Sequence, residues 1–176
     1  MEDFMDSKQS ASSNPAQLGI AEAATIRVVG EPRVFNRHTL KQHLIRPQEI
    51  VWLPHMVHLY QPGRATNPLM EPMTGKEFLG YATRGGHVLT AHFCDYLEDH
   101  PDMFFEDWRQ PVGSNPGVRG TFRMVHFCGT VFLDKYGHDA IKTLFWDFED
   151  KKLTAIFTSL NGRFFSDDFA ASPRSY

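Results

Sequence analysis

The sequence predicts an α+β domain in which a curved antiparallel sheet carries helices on its concave face. Three observations lead there. Two helical signatures lie between residues 73 and 100, short β-branched and aromatic runs follow Pro101, and a bent extended segment precedes the helices. The first helix is announced by "MTGKEFLGYATRGG" (73–86): Thr74 and Glu77 are spaced to satisfy each other's free backbone N–H groups, and Gly85 supplies the stop. The second covers 87–99, where Leu89, Phe93, Tyr96 and Leu97 recur at helical spacing before Pro101 ends the pattern.

Beyond Pro101, "DMFFEDW", "TFRMVHFCGTVFL", "DAIKTLFWDFE" and "LTAIFTSL" read as strands divided by "GSNPG", "DKYG", "EDKK" and "NG". Asn161-Gly162 suits a tight turn with positive φ, and "RFF" returns after it. Upstream, "TIRVVG" (25–30) has strand composition, and "NRHTLKQHL" (36–44) predicts a short helix ended at Arg46-Pro47. "EIVWLPHMVHLYQP" (49–62) is extended and bent at Pro54. Residues 1–24 form a polar N-terminal tail, and 25–176 a single α+β domain.

Composition narrows the function classes. With 41% hydrophobic and 22% charged residues the chain resembles an ordinary globular protein, and a formal charge of -3 gives no basic field for a nucleic-acid backbone. No run is long and apolar enough for a membrane span, and "MEDFMDSKQS" lacks the apolar core of a signal peptide. The expectation is a cytoplasmic protein with no nucleic-acid or membrane partner. Its two cysteines are then reduced.

Both cysteines occur in the repeated tripeptide His-Phe-Cys, at 92–94 and 126–128, which raises the possibility of a two-His, two-Cys metal centre. Geometry opposes it. On a helix His92 and Cys94 point about 200° apart, whereas on a strand His126 and Cys128 share one face. His55-x-x-His58 is the other metal-like spacing, but it lacks the Glu of a helical protease motif and follows Pro54. No metal and no other cofactor is expected. A Cys128 nucleophile beside His126 lacks the cationic surroundings that would lower its pKa, which favours an inert buried thiol. Alternation puts Phe122, Met124, His126 and Cys128 on one strand face, with Arg123, Val125, Phe127 and Val131 on the other. "SDDF" (166–169) reads as a solvated turn.

The run "EPMTGKEFLGY", "HPDMFFEDW", "VRGTFRMVHFCGTV" and "IKTLFWDFEDKKLTAIF" resembles the polyketide-cyclase and scytalone-dehydratase superfamily, whose members share the nuclear transport factor two-like (SnoaL-like) fold, a cone-shaped α+β barrel. The resemblance covers roughly residues 49–162. It departs in the hairpin phrase "FEDKKL", with Lys at the turn Gly, and in lacking a long opening helix. It implies either a cofactor-independent lyase, isomerase or cyclase acting on a small apolar carbonyl or polyketide-like molecule, or a non-catalytic ligand-binding or assembly subunit.

Under the enzyme reading the resemblance points to His126 as acid/base, with Asp147 as partner and His58 as a further catalytic candidate. His55, Tyr60, Phe93, Tyr96, Met124 and Trp146 are the candidates for lining an enclosed pocket around a small-molecule ligand. A metal-dependent hydrolase using His55 and His58 is a third reading. Both sheet faces read as apolar, so the convex face is expected to be buried in a homodimer.

Overall fold

The structure is a computed structural model and describes residues 24–26, 30–46, 50–52, 57–61, 71–84, 88–104, 106–110, 122–165 and 168–173. Along the chain β1 (Ala24–Ile26), β2 (Thr39–His43), β3 (Ile50–Trp52), β4 (Val57–Tyr60) and β5 (Met73–Thr74) precede α1 (Gly75–Thr83) and α2 (Ala91–Asp99). A 3-10 turn (Pro101–Met103) and α3 (Glu106–Arg109) lead into β6 (Met124–Leu133), β7 (Asp139–Asp147), β8 (Lys152–Ser159), β9 (Arg163–Phe164) and β10 (Asp168–Pro173). The protein is α+β, as expected.

Its main sheet runs in the order β4-β10-β6-β7-β8, with β2 also on β6. Because β10 joins β6 in parallel while the other pairs are antiparallel, the sheet is mixed and not purely antiparallel. It is open rather than a closed barrel. Two small antiparallel pairs, β1 with β3 and β5 with β9, lie apart from it.

Local chemistry accounts for α1. The Thr74 hydroxyl accepts from the Glu77 N–H (3.2 Å) while the Glu77 carboxylate accepts from the Thr74 N–H (2.8 Å), so the capping box forms as read. Phe78 and Ala82, one turn apart, supply its buried side. In α2 Phe93 and Leu97 repeat the same spacing, and the helix ends immediately before His100 and Pro101.

Which face each helix covers follows from strand alternation. Val125 and Phe127 of β6, Leu144 of β7 and Ala171 of β10 join a core with α2 and α3, whereas Cys128, Ile141 and Ala170 join a core with α1. The helices therefore lie on opposite faces, and the expectation that both cover one concave side is corrected. Residues 88–90 make the crossing. Leu89 donates to the Ala171 carbonyl (3.0 Å) and accepts from the Gly129 N–H (2.9 Å), bridging the sheet where β10 gives way to β2 beside β6. A side chain at Gly129 would come within 2.9 Å of the Leu89 carbonyl oxygen, so only glycine admits this close approach.

The same place carries a register shift between Phe127 and Phe132. Five residues of β6 span two of β7, and this odd excess exchanges the faces, so Val131 packs with Cys128 and not, as simple alternation predicts, with Val125 and Phe127.

Other expectations fail for local reasons. Residues 39–43, read as part of a helix, form β2 because pairing with β6 outweighs their helix-favouring composition. "DMFFEDW" is not a strand: Glu106 and Asp107 open α3, and Phe104 and Trp108 are buried at i,i+4 spacing. Asn161-Gly162 turns the chain without positive φ, and β9 pairs with β5 instead of returning along β8. The bent segment divides into β3 and β4. Pro54 and residues 1–23 lie outside the described residues, whereas Ala24, assigned to the tail, begins β1.

Candidate functional site

His126 sits in the middle of a buried polar chain. The Nε2 atom lies 2.6 Å from Asp168 Oδ1 and Nδ1 lies 2.8 Å from Thr143 Oγ1, which in turn lies 2.7 Å from Thr158 Oγ1. One proton arrangement satisfies every member: Thr158 donates to Thr143, Thr143 to Nδ1, and Nε2–H to the carboxylate. Strand register dictates this convergence, because His126 is opposite Thr143 and next to β10, whose first residue is Asp168. Asp168 also accepts from the Phe165 N–H at 2.5 Å. The imidazole is 0% exposed, and the rings of Phe78 and Phe164 stand 5.1 and 4.9 Å from it.

The carboxylate partner is therefore Asp168, not Asp147. Residues 168–169 of the "SDDF" phrase open a buried strand in place of a solvated turn, and Asp168 is 8% exposed. Asp147 closes β7, where its Oδ1 caps the hairpin by accepting from the Glu149 and Asp150 N–H groups at 2.9 and 3.2 Å. It is four residues beyond Thr143, about 13 Å along the strand.

The proposed lining residues do not converge on one cavity. Phe93 is in the core on the α2 face, with Tyr96 and Trp146 packed against it. Tyr60 belongs to the opposite α1 core, where its hydroxyl donates to the Ala82 carbonyl at 2.7 Å and burial pushes its pKa up. Tyr96 stacks on His100, and the Arg109 guanidinium lies 4.5 Å over Trp146. Met124 begins β6, half-buried opposite Asp168. His58 pairs with Ser172 in β4, its side chain outside the description, and His55 lies outside the described residues.

The two His-Phe-Cys copies are separated by the sheet itself, with Cys94 in one core and Cys128 in the other. Burial pushes both thiols well above the usual cysteine range. His92 instead bonds Thr90 Oγ1 (3.2 Å) and the Gly30 carbonyl (3.0 Å), and desolvation holds its pKa down against that carbonyl. Among the described residues no group of three or more His, Cys, Asp or Glu side chains is placed to hold a metal ion. No helix among them is long and apolar enough to cross a membrane.

Two features were not read from sequence. Lys142 of β7 is 0% exposed and pairs with Asp95 of α2, while its ammonium lies 5.5 and 5.9 Å from the rings of Phe35 and Phe157. Arg33 reinforces the carboxylate through its own N–H (2.7 Å) and extends to Glu98 and Asp99. A lysine on the inner face of a strand, three residues from Asp139, gave no signal distinguishing it from a solvated one.

The second feature is a cavity of about 430 Å³. Ala140, Phe157 and Ser159 form its floor, and its walls are the turn at 36–38 and the hairpin at 134–136. In that turn Asn36 and Arg37 have φ of 52° and 58°, and the His38 N–H closes it on the Phe35 carbonyl at 3.1 Å. The His38 ring stacks on Phe157, with centroids 4.0 Å apart and planes 12° apart. "NRH" has one residue suited to positive φ, Asn36, which could have suggested a turn there in place of a helix.

Comparison with protein-family models, with characterised proteins and with solved structures gives no match for the chain.

Proposed function

We propose that this chain is a non-catalytic binding domain that receives a small organic molecule in the cavity between the 36–38 turn and the 134–136 hairpin. The observation that carries the reading is the separation of that cavity from the buried histidine. His126 has both ring nitrogens engaged and no exposed surface, which suits a structural role better than proton transfer to a substrate. The cavity falls within the size range of small-molecule sites, and a rigid sheet floor with turn-borne walls is a common arrangement for binding.

Amide-detected NMR screening with a library of small aromatic, aliphatic and charged compounds tests the proposal. Binders should perturb residues 36–38, 134–136, 140 and 157–159, and Ala140→Phe, which fills the floor, should abolish those shifts. Perturbations that instead cluster around Asp168, His126 and Thr143 would favour the acid/base enzyme.

That second reading draws support from one observation, the 2.6 Å contact between His126 and Asp168, since a carboxylate orients a catalytic imidazole in the same way. Kinship with the cone-fold superfamily stays part of the proposal. It is supported by the helix that follows the extended segment and by the β6-β7-β8 meander. Dimerisation finds no comparable support, because both sheet faces already carry helices from the same chain.

A further inference from the structure

We infer that the cavity selects an aromatic carboxylate: a planar ring that extends the His38–Phe157 stack, with its acid group held by Arg37 and Lys135. This rests on the binding-domain reading and adds the ligand class. The charge balance of the walls is the first argument. Among the described residues Arg37 has no hydrogen-bond or ion-pair partner, and the Lys135 ammonium has only the Tyr136 ring, 4.7 Å away. The nearby carboxylate, Asp134, is already committed to the Tyr136 and His138 N–H groups at 2.8 and 2.9 Å and to the His138 ring at 3.2 Å. Two cations and this one committed carboxylate thus line the cavity, leaving one positive charge in excess.

Backbone geometry is the second argument. Arg37 has φ of 58°, a region where asparagine and glycine are far better tolerated than a long side chain. The turn gives up stability at a residue that lines the cavity, and such concessions gather at binding sites. The floor supplies the third. Phe157 is already stacked by His38, whose Nδ1 lies 3.2 Å from the Phe35 carbonyl, so the ring is fixed as a flat surface before any ligand arrives. A planar ring adds to that surface with little loss of freedom, and a carboxylate matches the fork of an arginine.

The test is titration of the full chain with naphthoate, followed by fluorescence anisotropy and by amide shifts. Naphthalenemethanol serves as the neutral control and acetate as the control without a ring. Naphthoate should bind at least roughly tenfold more tightly than either, with shifts at residues 36–38, 140 and 157. Arg37→Asn should weaken it roughly tenfold or more while raising the thermal midpoint, because asparagine relieves the turn as it removes the charge. Opposite signs in binding and stability separate ligand recognition from damage to the fold.

Equal binding of naphthoate and naphthalenemethanol, unaffected by Arg37→Asn, would overturn the carboxylate assignment while leaving a binding cavity in place. Failure of naphthoate to bind would also overturn it. If the broader library then yields no ligand at residues 36–38 and 134–136, the binding-domain reading falls as well.

Discussion

Replacing His126 with alanine separates the structural account of the buried histidine from the catalytic one. The substitution removes three things at once: the donor to Asp168, the acceptor for Thr143, and a ring packed between Phe78 and Phe164. Asp168 has a side chain only 10% exposed and would keep just the Phe165 N–H, while Thr143 would keep Thr158. Leaving one member of a buried polar pair without its partner costs about 3–5 kcal/mol, and the emptied ring space belongs to the same loss. Against a typical total stability of about 5–15 kcal/mol, that is a large fraction. Urea unfolding followed by tryptophan fluorescence should show the midpoint falling with little change in slope. The double variant His126→Leu/Asp168→Leu, which removes both polar partners, should recover more than half of the loss. A loss below about 1 kcal/mol for His126→Ala would refute the structural role and return the imidazole to consideration as a reactive group.

The Lys142–Asp95 pair makes a parallel case in the other core. Asp95→Leu should destabilise by about 3–5 kcal/mol because it strands a fully buried ammonium, whereas Asp95→Leu/Lys142→Met should regain most of this; equal single and double losses in urea unfolding would contradict the pairing. His92 sets a pH dependence. Desolvation lowers its folded pKa below the unfolded value of about 6.5, so its contribution is present above that value and is lost as pH falls through the folded pKa. Thermal midpoints measured from about pH 8 to about pH 5 should decline on the acid side, and His92→Gln should flatten that decline; an unchanged profile would count against it.

How far the sequence reveals this fold depends on whether each signal is local. The Thr74/Glu77 box, the Phe93/Leu97 spacing of α2 and the turns between β6, β7 and β8 are all written within a few residues and form as expected, whereas Leu89, read into the same helix, lies in the extended crossing before it. Residues 39–43 and 104–108 mislead because composition and contacts disagree. Lysine, glutamine and histidine in β2 lie on a strand held by β6, while Phe104 and Trp108 look like strand residues but form one face of a turn and helix. Long-range contact decides both, strand pairing with β6 for residues 39–43 and packing on the β6-β7 face for Phe104 and Trp108, and no window of ten residues contains these partners.

The site was less legible than the fold, for a reason visible in Asp168. In sequence it stands in "SDDF", 42 residues from His126, in a phrase whose local character is that of a solvent-facing turn. Only the parallel addition of β10 to β6 brings the carboxylate beneath the imidazole, and a parallel neighbour leaves no hairpin signature to announce it. The crossing of Leu89 between β10 and β2 is equally silent, although Gly129 marks where the backbones meet. It also places Phe93 and Tyr96 on the face away from His126, so candidates that looked adjacent as chemical types are divided by a sheet. The turn at 36–38 shows the converse: its positive φ values belong to a tight reversal closed by the His38 N–H on the Phe35 carbonyl, a wholly local geometry for which Asn36 carries a sequence signal and Arg37 carries none.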